Sequence, residues 1–132
     1  MAAGKGTRMK SQRPKVLHTL AGRPLLHHVL DTAATLGARQ IVTITGHGAE
    51  EVERSIQGRG GVVCVRQEPQ LGTGHAVQQA LPRLAEAGTT LILNGDVPLI
   101  EAATAQTLVA ACAGERLALL TIELQDLSLI HI

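Results

Sequence analysis

Three stretches of this 132-residue chain combine residue types and spacings suited to phosphate and base chemistry. The first is Gly4-Lys5-Gly6-Thr7-Arg8, followed by Pro14-Lys15. Small residues let backbone N–H groups approach a phosphate closely, and Lys5, Arg8 and Lys15 add fixed charge for a triphosphate. A dinucleotide GxGxxG fingerprint fails because Met9 stands where its third glycine belongs. A P-loop also fails, since no glycine precedes GKGT at the needed spacing. A basic surface loop is the plainer alternative. The second stretch is Asn94-Gly95-Asp96. A carboxylate just past a strand can hold Mg²⁺ against substrate phosphates, and magnesium takes only one or two protein carboxylates. The alternative is an aspartate in a turn assisted by Gly95 and Pro98. The third is Gln67 to Ala76, QEPQLGTGHA. The amides of Gln67 and Gln70 can match the donor–acceptor edge of a base, and Gly72 permits close backbone approach. Thr73 as a helix N-cap is compatible with that reading.

Other chemistries find little support. No HxxxH, HExxH or CxxC spacing exists for zinc, and no G-x-S-x-G marks a nucleophile. His18 and His28 read as packing or surface residues. His47 and His75 fall in the loops of interest, where structural hydrogen bonding is the expected role. Cys64 and Cys112 read as two small buried hydrophobes in a reducing cytosol. The chain has no Phe, Tyr or Trp, which removes aromatic stacking as a way to hold bases or sugars. Twelve basic against eleven acidic residues leave +1, so no global field draws the chain to nucleic acid or membrane. No apolar run approaches the ~20 residues of a membrane span, and no signal-peptide h-region opens the sequence. A cytoplasmic setting is expected.

The elements that would position these loops alternate in type. Leu25-Leu26, Val29-Leu30, Ala33 and Leu36 recur at helical spacing, with Pro24 before and Gly37 after. Residues 40–45 (QIVTIT) read as a strand, 49–57 as a short polar helix and 62–65 as a second strand. A helix over 73–87 carries Pro82 as a break. Residues 90–93 read as a third strand, and Ala105, Leu108, Val109 and Cys112 as a helix face. Residues 117–122 read as a fourth strand. Alternating strands and helices imply an α/β fold with a parallel sheet covered on both faces. Ligands bind outside the carboxyl ends of such strands, which points to the loops Gly46-His47-Gly48, Gln67 to Gly74 and Asn94-Gly95-Asp96.

Together these residues resemble a known family. Ala2-Ala3-Gly4-Lys5-Gly6-Thr7-Arg8-Met9 with Pro14-Lys15 is similar to the signature loop of the sugar-nucleotide pyrophosphorylases. QEPQLGTGHA and residues 93–99, LNGDVPL, narrow the resemblance. They point to the uridylyltransferase domain of bacterial bifunctional UDP-N-acetylglucosamine pyrophosphorylases / glucosamine-1-phosphate N-acetyltransferases. The resemblance implies a Rossmann-like nucleotidyltransferase, a three-layer sandwich with a mostly parallel sheet. It implies Mg²⁺-dependent uridylyl transfer from UTP to N-acetylglucosamine 1-phosphate. Arg8, Lys15 and Asp96 would be catalytic, with Asp96 the metal ligand. Ala2, Ala3, Gly4, Gly6 and Lys15 would wrap the nucleotide. Gln67, Gln70, Gly72 and Thr73 would hold the uracil end, and Asn94, Gly95 and Asp96 the ribose and phosphates. Asn94 stands where the family's pattern has tyrosine.

The match is expected to span residues 1–126, a partial pyrophosphorylase domain truncated at both ends. Residues 127–132 fit no part of the pattern and read as a possibly non-native tail. A second metal ligand, the sugar pocket and the trimer-forming acetyltransferase domain would lie outside the chain, leaving it little turnover alone. The alternatives are a cytidylyl- or molybdopterin-type nucleotidyltransferase, or a nucleotide-binding module without catalysis.

Overall fold

The computed structural model describes residues 1–123. Single 3-10 turns form at Thr7–Met9 and Lys15–Leu17. A tight antiparallel hairpin follows, β1 (Thr19–Leu20) with β2 (Arg23–Pro24). Then come α1 (Leu25–Thr35), β3 (Ile41–Thr45), α2 (Ala49–Ile56), β4 (Val62–Arg66), α3 (Thr73–Ala80) and α4 (Ala102–Cys112).

Helix α1 forms where the apolar spacing demands one. Leu26, Val29 and Leu30 are buried at i, i+3 and i+4. The helix ends as Gly37 takes φ 67°, a left-handed stop that glycine adopts without steric cost. Strands β3 and β4 run parallel, Ile41 opposite Val62 and Thr45 opposite Arg66. Successive side chains of β3 point to opposite faces. Ile41 packs with Leu26 and Leu30 of α1 and Val52 and Ile56 of α2. Val42 and Ile44 pack with Ala76 and Ala80 of α3. Helices therefore lie on both faces of the sheet, giving three layers. Burying each of the large aliphatic side chains stabilises the fold by roughly 1.5–3 kcal/mol.

Met1 to Ala3 extend this sheet beside β3. The Ala2 amide donates to the Ile44 carbonyl at 2.8 Å, and Ala2 bridges Thr45 in parallel. On the other side, the Met1 ammonium donates to the Leu93 carbonyl at 2.7 Å. The Gly95 amide returns to the Met1 carbonyl at 2.8 Å. The order across the sheet is thus β4, β3, Met1–Ala3, then the segment 93–95.

Two expected strands are not formed. Residues 90–93 and 117–122 are irregular. Between residues 91–93 and most of β3 lies a cavity of about 550 Å³, lined by Val29, Leu30, Val42, Val77 and Leu91 among others. Backbone ladders need a neighbour at about 4.8 Å, and across this cavity residues 90–92 have none. Leu117, Leu119 and Ile122 are likewise exposed, without a strand beside them. The expected helix 73–87 stops at Ala80, and Pro82 sits in the 3-10 turn Leu81–Arg83. Cys64, expected buried, is exposed: it lies on β4, which has a partner strand on one side only. Cys112 is half-buried. The expectation for residues 127–132 lies outside the described residues.

Candidate functional site

The three stretches singled out above gather at the carboxyl ends of β3, Met1–Ala3 and β4. Ala2 and Ala3 are buried and anchor the basic loop, and the Ala3 carbonyl accepts the His47 amide at 3.2 Å. The chain then turns outward through exposed Gly4 and Lys5. Gly6 has φ 58°, and a Cβ there would meet the Lys15 Cβ at 2.8 Å. Only glycine lets this loop lie directly on the Lys15 stem. Arg8 is exposed on the turn Thr7–Met9 and makes no ion pair among the described residues.

Lys15 and Asp96 meet across the site, Nζ to Oδ2 at 2.5 Å, each about one-third exposed. The elements set this meeting. Lys15 opens a 3-10 turn whose Val16 and Leu17 are buried in the core. Asp96 follows Gly95, whose backbone is pinned to Met1. A Cβ on Gly95 would sit 2.8 Å from the Met1 carbonyl oxygen, so a side chain is excluded there. Asp96 also lies close enough to pull the Met1 ammonium pKa up, against burial, which pushes it down more strongly. Asn94 is exposed.

The family resemblance implies a divalent cation, and the donor chemistry fits one that arrives with phosphate. Asp96 offers a single carboxylate, and no cluster of three or more His, Cys, Asp or Glu exists among the described residues. Magnesium bound through one carboxylate, water and substrate oxygens suits such a site.

The loop after β4 is organised differently. Gln67 is 2% exposed. Its amide nitrogen donates to the Gly72 carbonyl at 2.9 Å and lies 3.1 Å from His75 Nδ1. The Gln70 amide donates to the Gln67 carbonyl at 3.0 Å. The NH₂ groups of both glutamines are thus engaged within the loop, which leaves their amide oxygens as the ends that could meet a base. Gly72, with φ 101°, caps α3, and Thr73 is its first residue rather than its cap. Thr73 and Gly74 are exposed, and the first-turn amides of a helix have no internal partner. Glu68, Pro69, Leu71 and Gly72 of this loop are exposed as well. The structural hydrogen bonding expected of His75 is present, as a link from Gln67 through His75 to Gln79 whose partners sequence reasoning did not name. Its only signal was the four-residue spacing of His75 and Gln79 in a helix.

A sequence model of the MobA-like NTP transferase domain matches residues 1–126. The chain belongs to this family. Among curated relatives, the "Bifunctional protein GlmU" of Methylibium petroleiphilum is 73% identical over 129 residues, 96% of this chain and 28% of its own length. The protein of the same name from an Acidovorax species is 66% identical over the same share of each. The chain therefore spans just over a quarter of these relatives. Two solved structures share the fold of this transferase domain. Rv0371c from Mycobacterium tuberculosis has a TM-score of 0.67 and 27% identity, over 83% of this chain and 56% of the other. UDP-glucose pyrophosphorylase from Acinetobacter baumannii has a TM-score of 0.51 and 27% identity, over 64% and 40%. The expected Rossmann-like nucleotidyltransferase fold is borne out. No helix among the described residues is long and apolar enough to cross a membrane.

Proposed function

We propose that this domain binds UTP with Mg²⁺ across the carboxyl ends of its strands and serves uridylyl transfer to N-acetylglucosamine 1-phosphate. The observation that carries the reading is the meeting of Lys15 and Asp96 beside the loop Ala2 to Arg8. A cation for phosphate and a carboxylate for metal stand side by side there. The 73% identity to a GlmU protein supports the sugar phosphate, and the solved UDP-glucose pyrophosphorylase supports uridine. In the reaction, a phosphate oxygen of the sugar phosphate attacks the α-phosphorus of UTP. The bond to the bridging oxygen breaks, and pyrophosphate leaves with that electron pair. Catalysis of this kind is mostly positioning and charge neutralisation.

The backbone of Ala2, Ala3, Gly4 and Gly6 lines the nucleotide, and Arg8 and Lys15 offset charge on the triphosphate and leaving group. Gly72 and Thr73 meet the uracil through backbone and hydroxyl groups, with Gln67 and Gln70 holding their loop. Asn94 faces the ribose, with buried Gly95 fixing the backbone beneath it. Asp96 would hold the cation, which when bound supplies Lewis-acid neutralisation of the phosphates. The setting proposed is the cytoplasm. The 132 residues by themselves are expected to hold nucleotide with little turnover. The full-length activity, and the trimer that the family resemblance implies, are proposed for proteins of the relatives' full length.

Thermal unfolding with Mg²⁺ and each of UTP, CTP and GTP tests the reading. A ligand of the folded state raises apparent stability by mass action. A UTP-specific rise that vanishes in Asp96→Ala is expected. A CTP or GTP preference would replace UTP with another nucleotide, and no response to any nucleotide would overturn the reading.

A further inference from the structure

We propose that His75 is a positioning residue of the nucleotide site, acting with Gln79 to fix the Gln67 amide that ties together the loop 67–72. The inference rests on the nucleotide reading above. His75 Nδ1 lies 3.1 Å from the Gln67 amide nitrogen, and its Nε2 lies 3.0 Å from the Gln79 amide nitrogen. The chemistry allows one arrangement of protons. The Gly72 carbonyl can only accept, so the Gln67 amide must turn its NH₂ to that carbonyl. The same NH₂ then needs an acceptor at His75 Nδ1. A neutral imidazole that accepts at Nδ1 carries its proton on Nε2. The structure sets the Gln79 NH₂ against that Nε2, but one neutral imidazole cannot accept from two NH₂ groups, so we assign the Gln79 amide flipped, its oxygen toward the Nε2 proton and its NH₂ turned away.

The relay Gln79–His75–Gln67–Gly72 joins the second turn of α3 to the end of β4 and to the α3 cap. The Gly72 carbonyl also accepts the Ala76 amide at 3.1 Å, the first hydrogen bond of the helix. Losing His75 frees one of two bonds that hold a 2%-exposed amide, so Gln67 must find another acceptor or swing out. The outward-facing groups of Gly72 and Thr73 would then lose their fixed placement, although His75 itself touches no ligand.

The test compares nucleotide affinity by calorimetry, with Mg²⁺ and UTP or CTP, in the wild-type chain and two pairs of variants. His75→Asn keeps an acceptor near the Nδ1 position, and His75→Leu removes it. Gln79→Glu keeps an oxygen for the Nε2 proton, and Gln79→Leu removes it. UTP affinity should fall about tenfold in each Leu variant, about the worth of one buried hydrogen bond. The preference for UTP over CTP should narrow with it, while the Asn and Glu partners stay near wild type. Equal affinity in all four variants, or equal loss within each pair, would overturn the inference. If His75→Leu fails to fold, the Gln79 pair decides. A wild-type chain that binds neither nucleotide would overturn the nucleotide reading itself and this inference with it.

Discussion

The loop after β4 is closed on itself: Gln67 bonds Gly72, Gln70 bonds the Gln67 backbone, and His75 and Gln79 brace them within thirteen residues. Lys15 and Asp96, by contrast, lie 81 residues apart in sequence and meet through one ion pair. The first region holds its shape through local bonds to neutral groups, so it can meet a base without rearranging. The second is held by backbone placement and by a charge pair that a charged ligand can compete for. A triphosphate would draw Lys15 away, and a cation would claim Asp96. On the proposed reading, the base end is thus preorganised, while the phosphate end is poised to exchange partners.

The largest expected effect strikes the backbone placement of the phosphate end. In Gly95→Val, the new side chain meets the Met1 carbonyl and, at 3.3 Å, both Leu26 and Val16. Overpacking against backbone is expected to cost about 3 kcal/mol or more. Urea unfolding at constant m-value measures it. A midpoint like that of wild type would mean that Met1 and the segment 93–95 are not joined as described.

Next comes the ion pair itself. Lys15→Met frees Asp96 from its competitor. Mn²⁺ affinity in the absence of nucleotide, read from the free-ion resonance, should rise roughly tenfold, the scale of one charged hydrogen bond. UTP affinity should fall in the same variant, because a fixed cation is lost from the phosphates. Unchanged Mn²⁺ affinity would show that Lys15 does not shield the carboxylate in solution.

Legibility in the sequence divides along similar lines. Helix α1 and strands β3 and β4 were readable because their periodicity is local and their ends carry Pro24, Gly37 and glycine-rich breaks. The glycine and charge pattern around Gly4 to Lys15 and the Asn94–Asp96 turn was also readable, since close backbone approach requires those residue types. The hairpin β1–β2 was hidden: Ala21 takes φ 50° beside Gly22, a conformation uncommon for alanine and unmarked by Asn-Gly or Asp-Gly. Residues 90–93 and 117–122 have strand-like composition, yet a strand depends on its neighbours, which composition cannot supply. The burial of Gln67 was invisible for a related reason. Whether an amide faces a ligand or its own loop is decided by a histidine eight residues on.

A smaller effect tests the bracing of the sheet beneath the base loop. Glu53 accepts from the Thr45 hydroxyl at 2.8 Å and from Arg66 at 2.9 and 2.8 Å. The Arg66 hydrogen bonds hold its carboxyl below the usual range, and Thr45 adds to this against partial burial. The sign follows from linkage. A carboxyl with a depressed folded pKa contributes stability above its unfolded pKa and loses it as pH falls through the folded value. The unfolded chain takes the proton first. Glu53→Gln should cost about 1 kcal/mol near neutrality. The fall of Tm on acidification should become shallower in this variant. An acid limb of unchanged slope would show that this group does not contribute to it.

The smallest effect comes from the most exposed bridge. Asp31 pairs with both Arg23 and Arg59, but the two contacts are unequal. The Arg23 side chain is 52% exposed and that of Arg59 29%. Arg59 is also the larger cause of the lowered Asp31 pKa. Arg23→Ala leaves the better pair intact, and exposed pairs are worth about 0.2–1 kcal/mol, so a change near the lower end is expected. Arg59→Ala should cost more, because it removes the less exposed partner. It also lifts a repulsion from His27, whose pKa burial depresses first and Arg59 second. If the two arginines share Asp31 as the geometry says, the double variant should cost more than the two singles added together. Each arginine alone can still neutralise the carboxylate, and only the double leaves it bare. Strict additivity in thermal unfolding would overturn this sharing, each arginine then contributing separately whether or not the other is present.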